Sequence, residues 1–143
     1  MNIGTWFYMM VGLAGGWIAT LLGGWDAGLT TLIIFMAVDY VTGLVVAGVF
    51  KKSTKTATGA LESKAGWKGL CRKVATLFCV LVACRLDMTL GSNFIRDGVI
   101  IAFSANEAIS IIENIGLMGV DLPPALIKAI DILKNKGDKD DEI

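Results

Sequence analysis

Apolar residues run along this chain in long blocks separated by short polar stretches, and the blocks have the length of helices that cross a bilayer, about 20 residues each. Four such blocks stand out, at about 5–25, 27–50, 74–90 and 98–120. The first two are clean apart from one acid, Asp39, deep in the second. The third is shortened by Arg85 and Asp87, and the fourth contains Glu107 and Glu113. Between the second and third lies KKSTKTATGALESKAGWKGLCRK, residues 51–73, which reads as a basic loop. After the fourth, two prolines suit a helix start, and Leu126, Ile130 and Leu133 recur at spacings of four and three. This predicts a short amphipathic helix, lying along the membrane surface or against a neighbouring chain, followed by a solvated DKDDE tail. The expected class is an all-α integral membrane protein with three to four transmembrane helices, divided into a membrane domain, 1–122, and a C-terminal helix and acidic tail, 123–143.

Composition strengthens the membrane reading. Of 143 residues, 55% are hydrophobic and only 18% charged, with a mean hydropathy of +0.66, too few polar groups to cover a water-facing surface. Net charge is zero, but its distribution is uneven. Lys51, Lys52, Lys55, Lys64, Lys68, Arg72 and Lys73 face a single Glu62 within 51–73, whereas the first 50 residues carry only Asp26 and Asp39. That excess holds the segment in the cytoplasm, so four spans place both termini inside. The N-terminus has no basic leader, so the first block is expected to be retained as a span.

Little conventional chemistry is available. Histidine is absent, and Cys71, Cys79 and Cys84 form no CxxC pair, so neither a metal site nor a cofactor is expected. GALESKAG lacks the terminal Gly-Lys-Ser/Thr of a phosphate-binding loop, and no catalytic constellation appears. Topology explains the basic segment more simply than nucleic-acid binding, since its only aromatic residue is Trp67.

The informative polar and small residues lie inside the apolar blocks. Gly12, Gly16, Thr20 and Gly24, beside Gly15, Ala19 and Gly23, give the first block a face almost without bulk, suited to an intramolecular helix contact or to self-association. Asp39 lies twelve residues before Lys51, and Arg85 twelve after Lys73. At 1.5 Å per residue each is about 18 Å from one boundary, which predicts an Asp39–Arg85 pair or shared access to water at that depth. Glu107, Ser110, Glu113 and Asn114 share one face of the fourth block, too polar for lipid and expected to point into a bundle, a subunit interface or a wet lumen. In this reading a single copy leaves charges unsatisfied, and association shelters them.

The order Asp39, Thr42-Gly43 and Ala47, then Ser63, Gly69 and Arg72-Lys73, then Asp87, resembles the toxin-secretion and phage-lysis holins. Glu107, Ser110-Ile111, Asn114, Gly119 and Pro123 look like that family's second block, and the resemblance covers roughly 34–133. Arg85 departs from the pattern, where an uncharged residue is expected. The resemblance implies a phage or prophage protein, multi-pass in the host cytoplasmic membrane, that oligomerises and opens it. An endolysin, or in some relatives a toxin, is the released cargo, and an antiholin is a candidate regulator. Asp39, Thr42, Arg85, Asp87, Glu107, Ser110, Glu113 and Asn114 are then pore-lining or interhelical polar groups, with Gly43 and Ala47 joining the packing residues. Two other functions fit the same residues: a small ion channel or transporter subunit using Asp39 and Glu107, and a membrane anchor whose basic loop binds anionic lipid or a cytoplasmic partner.

Overall fold

The computed structural model describes residues 2–129, 131 and 132, all helix, turn or loop with no strand among them. Helix α1 spans Ile3–Leu21 and α2 spans Ala27–Val45, continued by a wider π-helical turn over Val46–Phe50. Helix α3 spans Ser63–Leu90 and α4 spans Ile95–Leu117. Residues 124–129 form the start of the expected C-terminal helix. Ile130, Leu133 and the acidic tail lie outside the described residues.

Local chemistry sets the helix ends. Asp26 caps α2, its carboxylate accepting the Leu29 N–H at 2.8 Å. Helix α3 stops at Gly91, left-handed at φ 64°, whose N–H returns to the Asp87 carbonyl. The loop 51–62 closes tightly, with Ser53 N–H bonded to the Gly59 carbonyl at 3.0 Å. Gly59 has φ 72°, and a side chain there would collide with the Lys51 carbonyl.

Two expected boundaries move. Helix α3 begins at Ser63, so the segment anticipated as a basic loop is half helix: only Lys51, Lys52 and Lys55 lie in the loop, whereas Lys64, Lys68, Arg72 and Lys73 are on α3. Charge does not end a helix, and SKAGWKGLCRK is built largely from good helix formers without proline. At the other boundary α1 ends at Leu21, and Gly23 and Gly24, with φ of 91° and 96°, form a turn rather than part of a helix-packing face.

Helices α2 and α4 form the closest pair, α3 packs mainly on α4, and α3 touches α2 only lightly. Leu22, Leu29, Leu32, Met36, Val80 and Ile100 make the core. The outer surface is strongly apolar: Ile34, Val38 and Val41 on α2, and Phe78, Val82 and Leu86 on α3, are exposed at helical spacing. Helix α1 is bare except for its last turn, with Trp6, Phe7, Tyr8, Met10, Leu13 and Trp17 half-exposed or more. Such surface needs an apolar solvent. Ala27–Phe50 and Ile95–Leu117 are long and apolar enough to cross a membrane.

In lipid, packing Leu29 or Leu32 inside brings little hydrophobic gain, because the acyl chains are as apolar as the core. The polar clusters between helices therefore carry unusual weight in holding this bundle together.

Candidate functional site

Two polar clusters sit at opposite ends of the α2–α3–α4 unit. The first centres on Asp39, which is 6% exposed. Its Oδ2 accepts from the Lys73 ammonium at 2.8 Å, and its Oδ1 accepts from Ser110 Oγ at 2.5 Å and Asn114 Nδ2 at 3.2 Å. Lys73 donates a second bond to Glu107 Oε2 at 2.6 Å. Lys55 reaches from the loop to 3.9 Å of Asp39 Oδ1. Asn114 also donates to Thr42 Oγ1 at 3.0 Å. One residue from each helix thus meets at one ammonium: Asp39 from α2, Lys73 from α3 and Glu107 from α4.

Register brings them level. Asp39 is eleven residues before Phe50, Lys73 ten after Ser63 and Glu107 ten before Leu117. Each is about 15 to 17 Å from the loop end of its helix at 1.5 Å per residue. The same arithmetic explains why the expected Asp39–Arg85 pair does not form. Counting from Lys73 as the helix boundary misplaces α3 by its first ten residues, about 15 Å. Arg85 is exposed further along α3, where its Nη1 lies 3.6 Å from Met88 Sδ.

A cavity of about 850 Å³ lies between α2, α3, α4 and the loop, and its lining includes Asp39, Lys73, Glu107, Lys55, Lys68 and Arg72. Farther from the loop the space is filled by core side chains: Met36 and Leu32 follow Asp39 along α2, Val80 lies on α3, and Ile100 on α4. The cavity carries its charged groups toward the loop, reaches past the triad as far as Cys79 and Phe103, and gives way to the apolar core beyond them.

The second cluster, at the opposite end, joins the expected residue Asp87 to Asp26 and Arg96, which the sequence pattern does not single out as site residues. Arg96, 8% exposed, donates from Nε to the Leu22 carbonyl at 2.5 Å, from Nη2 to the Gly24 carbonyl at 3.2 Å and from Nη1 to Asp26 at 2.6 Å. It clasps the α1–α2 turn, and a side chain on Gly23 would run into the guanidinium. Asp87 caps α4 by accepting the N–H groups of Ile95 at 3.1 Å and Arg96 at 2.8 Å, together with Ser92 Oγ at 2.5 Å. The Arg96 hydrogen bond, followed by the Leu29 N–H, holds the Asp26 carboxyl below its ordinary value of 3.8. The sequence signal is Asp26 immediately before an apolar block, whereas Arg96 falls between the third and fourth blocks.

Of the other expected residues, Ala47 is buried and Glu113 is exposed at the cavity. At Gly12, Gly15 and Gly16 an added methyl group would meet nothing within 4 Å, so an intramolecular contact does not explain that face among the described residues. The expectation that one copy leaves its charges unsatisfied is overturned for Asp39, Glu107 and Asp87, each of which has partners within the chain.

The chain matches the bacteriophage holin family over residues 16–135, from the last turns of α1 to beyond α4. It belongs to that family. A protein of Listeria monocytogenes named as uncharacterized is 38% identical over 123 residues, covering 85% of this chain and 82% of its own. A 14.9 kDa protein of Clostridium perfringens, also named as uncharacterized, is 35% identical over 138 residues, covering 95% and 96%. A probable holin of Bacillus phage phi105 is 26% identical over 115 residues, covering 80% and 79%. No solved structure matches the chain. As a holin-family member with two helices apolar enough to span, this is a membrane protein.

Proposed function

We propose that the chain is a phage or prophage holin that crosses the host cytoplasmic membrane several times, assembles with copies of itself and opens that membrane to an endolysin or toxin. The observation that carries this reading is the buried triad in the wall of a cavity lined by several charged residues, set in a bundle whose outer surface suits lipid. A polar interior in a small membrane protein marks a path for water or ions rather than a simple anchor.

Assembly needs a driving force other than unsatisfied charge, because the single copy satisfies Asp39 and Glu107. The bare helix α1, with its small-residue face, supplies one through close helix contact in lipid. In this reading α1 and α3 also span, the loop 51–62 faces the cytoplasm, and opening exchanges the internal partners of the triad for water.

Inducible expression in bacteria together with a cytoplasmic endolysin tests the proposal. The expected result is abrupt loss of membrane potential after a delay, followed by lysis that requires the endolysin. The channel or transporter reading is favoured by the direct access of the cavity to Asp39 and Glu107. It predicts saturable ion flux without release of a folded enzyme.

A further inference from the structure

Lys73 fills a place that two carboxylates make favourable for a cation. Two carboxylates on two helices converge on its ammonium, at 2.8 and 2.6 Å, and its side chain is only 12% exposed. Ser110 and Asn114 of α4 fix the orientation of Asp39 by donating to the other carboxylate oxygen. Neither donor bonds to the ammonium, so both act as positioning residues. The site forms from the closely packed α2–α4 pair, and α3 contributes only the ammonium.

That division has a mechanical consequence. At the loop end, α3 meets α2 lightly, through Tyr40 against Gly66 and Gly69, and the cavity separates them elsewhere. On this side Lys73 ties α3 to both other helices by two charged hydrogen bonds, beside the packing of α3 on α4. Lys55, 51% exposed and 3.9 Å from Asp39, adds a looser tie from the loop. Breaking one partner of a buried charge pair leaves the other charge uncompensated, which makes the closed arrangement steeply dependent on a single side chain.

We infer that Asp39 and Glu107 form an ammonium-binding site filled by the chain's own Lys73, and that this tethered cation is the latch that keeps α3 closed over the cavity. The inference deepens the holin reading by naming what holds the closed state. Removing the ammonium lets α3 swing from α2, and water then passes the triad to reach the apolar plug. A free alkylammonium of suitable length refills the site in a chain that lacks the lysine and restores the latch. A side chain that served only for packing would show no such rescue.

The test uses the full chain in liposomes loaded with a small dye, comparing wild type with K73A, K73R and E107Q. At a fixed protein-to-lipid ratio K73A releases dye about tenfold faster, equivalent to about 1.4 kcal/mol at 25 °C. K73R, which keeps the charge, returns release toward the slow rate. Millimolar n-butylammonium slows K73A, while tetra-n-butylammonium, which has no N–H to donate, does not. Wild-type rates in K73A, or equal effects of the two amines, overturn the latch.

A second readout does not depend on pore formation. Cys84 is buried on α3, eleven residues beyond Lys73, and in a C71S/C79S background its reaction with a water-soluble maleimide reports water past the triad. K73A raises that rate and n-butylammonium lowers it again, whereas an unchanged rate overturns the inference. If the wild-type chain never releases dye or supports lysis, the holin reading falls and the thiol readout alone decides the latch. If K73A fails to accumulate, E107Q, which removes one of the two charges, decides by the same readouts: an intermediate rise supports the latch and none overturns it.

Discussion

Arg96 has the most demanding surroundings of any side chain at the end opposite the loop. It is 8% exposed and supplies hydrogen bonds to two main-chain carbonyls and to Asp26. Leu22 and Gly24 follow the end of α1, and Asp26 caps α2, so one guanidinium fixes the turn between two helices. Lysine cannot replace that fork with its single ammonium. Arg96→Lys is expected to destabilise the detergent-solubilised chain by about 1.5 to 3 kcal/mol, the range for hydrogen bonds to a charged group, read by thermal unfolding. Gly23→Ala attacks the same turn from the backbone side, since φ 91° and the guanidinium both oppose a side chain. Its expected penalty is about 1 to 3 kcal/mol. The clasp also sets an acid limit. The Asp26 carboxyl titrates below 3.8 when folded, so its contribution to stability is present above 3.8 and is lost as pH falls through the lowered folded value. Unfolding of the wild-type chain should show this loss on acidification, and Asp26→Asn should be less stable at neutral pH with the acid-dependent part removed.

At the scale of helices, α1 and α3 show where sequence reading succeeds and where it stops. The blocks at 27–50 and 98–120 are legible because hydrophobic length alone defines them, and α2 with its π-helical turn, and α4, fall within three residues of those bounds. Helix α3 is only half legible. Its basic first third reads as loop by charge, although its residues favour helix, and that error of ten residues carries Arg85 to Asp39 in place of Lys73. Glu107, Ser110 and Asn114 lie on one face of α4 and bond to Lys73 and Asp39, and steps of three and four residues make that face legible without knowledge of neighbours. Which charge meets that face depends on interhelix register, and one sequence carries no direct record of it. Helix α1 leaves a different question. Gly12 and Gly16 have no neighbour within 4 Å of an added methyl position. Gly12→Leu with Gly16→Leu should therefore leave unfolding of the solubilised single chain within about 0.5 kcal/mol of wild type, the usual range for surface changes. Crosslinking in membranes should lose its higher oligomers in the same variant if α1 is the contact between copies. Retained oligomers would move assembly to the lipid-facing surfaces of α2 and α3.

The whole molecule is polarised along its long axis, and that polarity fixes a topology that can be measured. The hollow, basic end gathers the loop 51–62, the first turns of α3 and the end of α4, while the clasp end gathers the turn after α1, Asp87 and Arg96. If the chain crosses the membrane as proposed, the positive-inside tendency of the seven Lys or Arg within 51–73 puts the first end in the cytoplasm. In that proposed topology α2 and α4 run in the same direction, with α3 returning between them. In a C71S/C79S/C84S background, single cysteines at Ala57 and Val120 should resist a membrane-impermeant thiol reagent applied to intact cells, and a cysteine at Asn93 should react. The N-terminus decides the number of spans. If α1 crosses, its 19 residues place Asn2 on the loop side, and Asn2→Cys is protected until the cells are opened. If α1 lies along the outer surface, Asn2→Cys reacts as readily as Asn93→Cys. Protection at 2, 57 and 120 with reaction at 93 is the expected pattern, because 19 helical residues extend about 28 Å, close to the hydrocarbon thickness, and α1 lacks the charged face of an interfacial helix.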